Sequence, residues 1–325
     1  MRRALTLIAC ILAVAISAAQ AGPRARLVVG EGLNEPFAVD FDATGRMFIA
    51  EMGGNRVSVW DQTRLTPLST PFTGPHHLLK GPDDLIYVAD TWSNVVRRVD
   101  PLTGTVTRVA GTGQKGFSGD GGPALDAQFG AVFAIAIHAG TLYLADLDNR
   151  RIRSVNLSTG IVGTVAGNGD KGVPMDGADA KTQPLVDPRA VAVDATGQVY
   201  ICERGGHALR VVDAGGRIRT VAGTGQPGFG GDGGPALKAA MNGPKHISID
   251  ADGSVLISDT ENHVIRRYRP ATGTIERVAG TGTQGAAGLD GPPERLQLNR
   301  PHGAFRHKGT LYISDSENHR VIAID

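Results

Sequence analysis

The sequence predicts an all-β protein: a six-bladed β-propeller of four-stranded blades, its ring closed by the N-terminal strand. Three observations carry this expectation. One stretch recurs, since VLISDTENHVIRRYRPATGTIERVAGTG from Val255 to Gly282 returns with small changes from Ile86, Leu142 and Val199. The acids ending the second β-rich run of each copy, Glu51, Asp90, Asp146, Glu203, Asp259 and Asp315, are spaced 39, 56, 57, 56 and 56 residues apart, which defines six units. Each unit divides into four short β-rich runs between turn signals, and four strands at such a period mark a propeller blade rather than a helical solenoid.

The first unit shows the scheme. Its runs are Phe37 to Phe41, Arg46 to Ala50, Arg56 to Trp60 and a weaker fourth near Leu65 to Leu68. Its step to the next acid is short, so it lacks an insertion that the following four units carry. Between first and second runs lie Asp42-Ala43-Thr44-Gly45, Asp194-Ala195-Thr196-Gly197 and Asp250-Ala251-Asp252-Gly253, where Gly supplies positive φ and Asp bonds its own backbone. Between third and fourth lie Pro101-Leu102-Thr103-Gly104, Leu157-Ser158-Thr159-Gly160 and Pro270-Ala271-Thr272-Gly273. In an up-and-down blade both sets of tight turns fall on one smooth face. The turns at the acids and the long connections 111–130, 167–187, 223–243 and 280–300 fall on the other, the expected place for function.

The sixth unit ends at Asp325, after its third run, Arg320 to Ile324. The segment Arg26 to Gly32 resembles Arg277 to Gly282 and is expected to supply the missing outer strand. Such a closure removes the unpaired edges that invite aggregation.

Residues 1–21 place Arg2 and Arg3 before an apolar run from Ala4 to about Ala15 and then Ala19-Gln20-Ala21, the order of a secretory signal peptide cut before Gly22. The expected location is periplasmic or secreted, with residues 22–325 as one propeller domain. The apolar run is short of the ~18 residues of a spanning helix, so no stable membrane anchor is expected. Without Arg2 and Arg3 the chain has 31 basic and 32 acidic residues, a balance that argues against nucleic acid as a partner. Cys10 leaves with the signal and Cys202 remains alone, so no intramolecular disulfide forms. A monomer is expected.

Two motifs, Asp259-Thr260-Glu261-Asn262-His263-Val264 and Asp315-Ser316-Glu317-Asn318-His319-Arg320, resemble the NHL repeat. The loops GFSGDGGPALDAQF from Gly116 and GFGGDGGPALKAAMNGP from Gly228 are similar to those of bacterial secreted NHL proteins and the teneurin propeller. The resemblance covers the whole chain after the signal. It implies a fold and leaves function open, because NHL propellers include lyases, RNA-binding modules and adhesion domains.

Repeated letters are read as scaffold. The six acids are expected to accept backbone N–H bonds where a strand turns, Asn262 to sit in a left-handed turn position, and Cys202 to be a small core residue. The recurrent Arg97, Arg98, Arg153, Arg266 and Arg267 read as solvated blade surface. The Gly-Asp-Gly-Gly-Pro-Ala runs are expected to pack on the next blade through Leu125 and Leu237, with Asp120, Asp232 and Asp290 as calcium candidates.

Function is sought where the repeat stops repeating. The first runs open at Pro36, Pro75, Ala131, Pro188, Pro244 and Pro301; the next residues are Phe37, His76, Val132, Arg189, Lys245 and His302, followed by Ala38, His77, Phe133, Ala190, His246 and Gly303. His76, His77, Arg189, Lys245, His246 and His302 are therefore the expected ligand-binding residues, converging at the mouth of the central channel. The leading expectation is a module binding a small anionic molecule, a glycan or a partner protein, through cations and protonatable imidazoles. The alternative is a metal-assisted lyase or lactonase-like hydrolase, with zinc or calcium as cofactor. The NHL resemblance extends to peptidyl-hydroxyglycine lyases, which place zinc-binding histidines directly after such prolines; it implies His76 and His302 as metal ligands and sets Arg189 where another ligand would stand. No Ser-His-Asp order, nucleophile elbow, His-Glu-x-x-His or dinucleotide fingerprint is present.

Overall fold

The computed structural model describes residues 22–325; the expected signal peptide, residues 1–21, lies outside them. The described residues form six antiparallel four-stranded sheets, the first five pairing in chain order from an inner to an outer strand. The inner strands are Pro36–Phe41, Pro75–Lys80, Val132–His138, Pro188–Val193, His246–Ile249 and Gly303–His307, in blades 1 to 6. In blade 6 the outer strand is Ala25–Val29, which pairs with Arg320–Ile324 and closes the ring. Apolar second strands such as Val199–Glu203 and Val255–Asp259 are buried along their whole length, sandwiched between neighbouring blades.

The repeated acids hold each blade entrance to its body. All six are fully buried. Each accepts the backbone N–H of a residue just before its inner strand, two before it in blades 1 to 4 and four before it in blades 5 and 6: Asn34 to Glu51 (2.7 Å), Thr73 to Asp90 (2.6 Å), Gly130 to Asp146 (2.6 Å), Val186 to Glu203 (2.6 Å), Asn242 to Asp259 (2.8 Å) and Asn299 to Asp315 (2.7 Å). Each is also paired with an arginine of the third strand, Arg56, Arg97, Arg153, Arg210, Arg266 or Arg320. Arg153 and Arg266 are completely buried, which corrects the expectation of solvated surface for these two. Asp120 and Asp232, read as calcium candidates, instead neutralise Arg153 (2.7 Å) and Arg266 (2.8 Å).

The left-handed position of each acid turn belongs to Asn55, Asn94, Arg150, His207, His263 and His319, not to Asn262. Asn262 bonds the carboxylate of Asp259 (2.8 Å) instead. Five of these residues accept a backbone N–H from the next blade: Asn55 from Gly74, Asn94 from Ala131, His207 from Gly243, His263 from Arg300 and His319 from Glu35, at 2.8 to 3.1 Å. The glycine ending each Val-Ala-Gly has a matching cause. Gly223 (φ 93°) and Gly280 (φ 98°) lie against the carbonyls of His207 and His263, where a Cβ would collide.

The long connections do not gather around the channel. Each runs outward and pairs with the outer hairpin of the following blade, as Gly121 N–H to Val162 (2.8 Å), Gly177 N–H to Ile218 (2.7 Å) and Gly233 N–H to Ile275 (2.7 Å) show. The last covers the closing strand through Asp290 N–H to Ala25 O (2.7 Å). The outer edges of blades 3 to 6, which would template aggregation, are thus occupied. Leu125 and Leu237 are exposed, in contrast to the expectation; the loops dock through Ala124, Ala127 and Phe129, and through Ala236, Ala239 and Met241.

Candidate binding site at the channel mouth

In blades 1 to 4 a β-bulge aims one side chain into the channel. In blade 2, Pro75 opposes Asp90 and His77 opposes Ala89, so His76 is the extra residue. The same shift sets out Phe37 and Arg189. Lys245 and His302 lie at the equivalent place just before their strands, each donating its N–H to the serine that precedes the acid (3.1 Å). Bulges beside sites commonly re-aim a side chain in this way. In blade 3 Val132 opposes Asp146, so the residue delivered is Phe133, one later than the sequence alignment indicated. Blade 3 has a shorter first hairpin, so Val132 stands 14 residues before its acid where Pro36, Pro75 and Pro188 stand 15 before theirs, and this hid the equivalence.

The result is a ring of Phe37, His76, Phe133, Arg189, Lys245 and His302 around a cavity of about 250 Å³, rimmed by Trp92, Arg204, Arg300, Glu35 and Glu317. Phe37 stacks on His302 at 3.9 Å and 8°. His76 sits edge-on to Phe37 (4.9 Å), Phe133 (4.6 Å) and Trp92 (5.2 Å). The Arg189 guanidinium lies 3.9 Å from the Phe133 centroid. These contacts lock the aromatic wall in one arrangement.

The imidazoles have assigned roles. His76 Nδ1–H donates to Gly74 O (2.7 Å) and His302 Nδ1–H to Arg300 O (2.9 Å), so each Nε2 carries the lone pair. Burial, followed for His76 by Arg189 and for His302 by Lys245, holds both well below the ordinary imidazole range. They are neutral bases at neutral pH.

The cations differ in pairing. Lys245 is bound to Glu261 (2.8 Å), Arg204 to Asp187 (2.7 Å), and Arg300 to Glu261 (2.8 Å) and Glu317. Arg189 is only 5% exposed, forms no ion pair, and its Nε has no hydrogen-bond partner in the protein. Burial, then the nearby Arg204, pushes it down to about 9. A buried guanidinium without a counter-charge is energetically costly, and an incoming anion relieves that cost.

The other two expected site residues lie one layer deeper. His77 and His246, from opposite blades, meet across the channel with Nε2 to Nε2 at 2.9 Å. His77 Nδ1 accepts from Ile135 N–H (3.4 Å), which leaves its Nε2–H as the donor. The equivalent positions, Ala38, Ala134, Ala190 and Gly303, are small and make room for the pair. This pair lines a separate chamber of about 890 Å³ that opens on the smooth face between Val39, Ile135, Val191 and Ile249. Burial pushes His77 down to about 4 and holds His246 well below its usual range. Cys202, against Pro244 O (3.5 Å), is core, its thiol pushed well up by burial.

The donor set does not suit a resident metal. His76 and His302 are separated by Phe37 and accompanied by two cations, and among the described residues no three His, Cys, Asp or Glu side chains converge as a metal site. Phe37, Phe133, Trp92 and Glu261 are among the mouth residues that sequence reasoning did not select, as are the rim residues Arg204, Arg300, Glu35 and Glu317. The usable signal was the pair Phe-Ala at Phe37-Ala38 and Phe133-Ala134, parallel to Arg189-Ala190.

No protein-family model matches the chain. It is 27% identical over 257 residues to Protein SUPPRESSOR OF QUENCHING 1, chloroplastic, of Arabidopsis thaliana, covering 74% of this chain and 24% of that protein. It is 25% identical over 231 residues to NHL repeat-containing protein 2 of Bos taurus (62% and 32%) and 31% over 162 residues to teneurin-4 of Mus musculus (46% and 6%). The chain spans less than a third of the length of each of these relatives. Among solved structures, it superposes on an auxiliary nutrient binding protein from Bacteroides thetaiotaomicron with TM-score 0.69 at 13% identity, covering 93% of this chain and 76% of that one. For virginiamycin B lyase from Staphylococcus aureus the values are 0.57, 14%, 93% and 98%. These two likenesses are of fold. The protein is a six-bladed propeller whose sequence is similar to NHL repeat-containing protein 2 and the teneurins.

Proposed function

We propose that the channel mouth captures a small anion, with Arg189 as its charge partner and Lys245 close by. One observation carries this reading: Arg189 is buried, aimed at the mouth, and has no carboxylate of its own. A charge-assisted bond to a ligand supplies what the fold withholds. The relatedness in fold to a nutrient-binding propeller supports a binding role. The reading sets the protein in the periplasm or outside the cell, in keeping with the signal-like order of residues 1–21. Among the described residues no helix is long and apolar enough to cross a membrane.

Calorimetric titration of the mature chain with a panel of carboxylates and phosphates tests it. Arg189→Gln is expected to weaken binding by about 10- to 100-fold, the weight of a buried charged hydrogen bond. Unaltered binding in that variant, or binding of no anion by the parent, overturns it.

A second reading is favoured by the two neutral imidazoles. With Nε2 of His76 and His302 free to take a proton beside a cation that stabilises negative charge, the mouth has the parts for general-base catalysis of a lyase or hydrolase type. Turnover of a bound anion, lost in His76→Ala or His302→Ala with affinity retained, supports it. The metal-assisted form requires stoichiometric zinc or calcium that disappears in His302→Ala, measured by elemental analysis.

A further inference from the structure

The mouth is divided into two halves of different chemistry. Phe37, His76, Phe133 and Trp92 come from blades 1 to 3, whereas Arg189, Arg204, Lys245 and Arg300 come from blades 4 to 6 or the connection entering blade 6. We infer that the ligand is a small planar carboxylate with an apolar, conjugated body, of the benzoate or cinnamate class, lying with its body on the aromatic half and its carboxylate on Arg189. This inference rests on the anion reading and makes it specific.

Three features narrow the class. Stacking on Phe133 occupies a face of the Arg189 guanidinium and leaves its in-plane N–H groups for the ligand. A carboxylate paired bidentately with them lies in that plane, and a body conjugated with the carboxylate continues in it. A tetrahedral phosphate gains less from such a fork. The rim carboxylates Glu261, Asp187 and Glu317 are already held by Lys245, Arg204 and Arg300, which leaves Nε2 of His76 and of His302 and the Glu35 carboxylate as acceptors, too few for the row of hydroxyls on a sugar acid. Glu35 stands beside the aromatic half and repels a carboxylate there, which fixes the orientation. A cavity of about 250 Å³ is below the roughly 300–1,000 Å³ usual for drug-sized ligands and suits a single ring.

The test is calorimetry on the mature chain at constant ionic strength, with benzoate, cinnamate, acetate, gluconate and inorganic phosphate as probes. Benzoate or cinnamate is expected to bind about 10-fold or more tightly than acetate or gluconate. Phe133→Leu is expected to weaken benzoate by about 5- to 10-fold while acetate changes by less than about 2-fold. Trp92→Ala, at a half-exposed rim residue, provides an independent variant that keeps the fold and shows the same selectivity in smaller measure. Arg189→Gln weakens every anion. If gluconate or phosphate binds as tightly as benzoate, or if Phe133→Leu affects acetate equally, the planar-carboxylate inference is wrong while the anion reading stands. Binding of none of the five removes both.

Discussion

Arg189 illustrates how a single residue in a repeat can be set against the interest of the fold. Its counterparts are aromatic or are paired, and it alone among the described mouth cations has no carboxylate. Replacing it with a neutral side chain of similar length removes an unpaired buried charge. Arg189→Met is therefore expected to stabilise the unliganded protein, by about 1–3 kcal/mol in denaturant unfolding, while abolishing anion capture. Stability without function is the signature of a binding residue; loss of both marks a structural one. The histidines below it make a pH prediction. His76, His77, His246 and His302 are all held below their usual range, so between the unfolded imidazole value of about 6.5 and the folded values the unfolded chain binds more protons. Stability from this source is complete above that value and is lost as pH falls, for His77 down to about 4. Asp40, Asp146 and Asp259, which burial pushes up to about 6, act oppositely, since their folded forms hold a proton more readily and gain stability as pH falls through the same window. The comparison that isolates the imidazoles is His246→Gln against the parent: the variant's unfolding midpoint is expected to fall less between pH 6.5 and 4. An equal or steeper fall contradicts it.

At the scale of elements, the acid turns and the inserted loops do the structural work that their repetition suggests, by different routes. Arg266 joins them: it pairs with Asp259 and Asp232 and donates to the carbonyls of Ala240 (2.7 Å) and Gly230 (2.7 Å) from the connecting loop. Arg266→Met strands two carboxylates and is expected to cost about 3–5 kcal/mol in equilibrium unfolding. A loss under about 1 kcal/mol places the loop's anchorage elsewhere. The hairpins, the acids and the closing strand were legible in the sequence, because each rests on local turn chemistry or on a period that any copy reveals. The loop paths were not. Their pairing with the next blade uses backbone groups of Gly121, Gly177 and Gly233, which carry no side-chain letter to recognise. Leu125 and Leu237 misdirected the reading for the same reason, being the conspicuous apolar residues while small Ala124 and Ala236 make the contact. Deleting residues 22–32 removes the strand Ala25–Val29 and uncovers Arg320–Ile324. Cooperative unfolding of that variant is expected to shift well below the parent's, read by thermal melting; an unchanged midpoint contradicts closure by strand exchange.

At the scale of the molecule, a ring of six blades delivers six side chains, four of them from β-bulges, to one small volume from residues as far apart as Phe37 and His302. That convergence was visible in the sequence as a break in the repeat, and it located Arg189, Lys245, His76 and His302 at the mouth. The depth of each residue was not visible, because adjacent positions on an inner strand differ by one pleat. His77 and His246 consequently meet in the second layer and separate the mouth from the chamber on the smooth face. Phe133 was hidden by the first hairpin of blade 3, which is one residue shorter than that of blade 2. The whole arrangement reduces to one claim, that the mouth is an anion site centred on Arg189. The most direct measurement is a calorimetric titration of the mature protein and of Arg189→Gln with benzoate and acetate, both variants shown to be folded by circular dichroism. Saturable binding by the parent that falls about 10-fold or more in the folded variant is the predicted result. Equal affinity in the two proteins, or no binding by the parent, contradicts it.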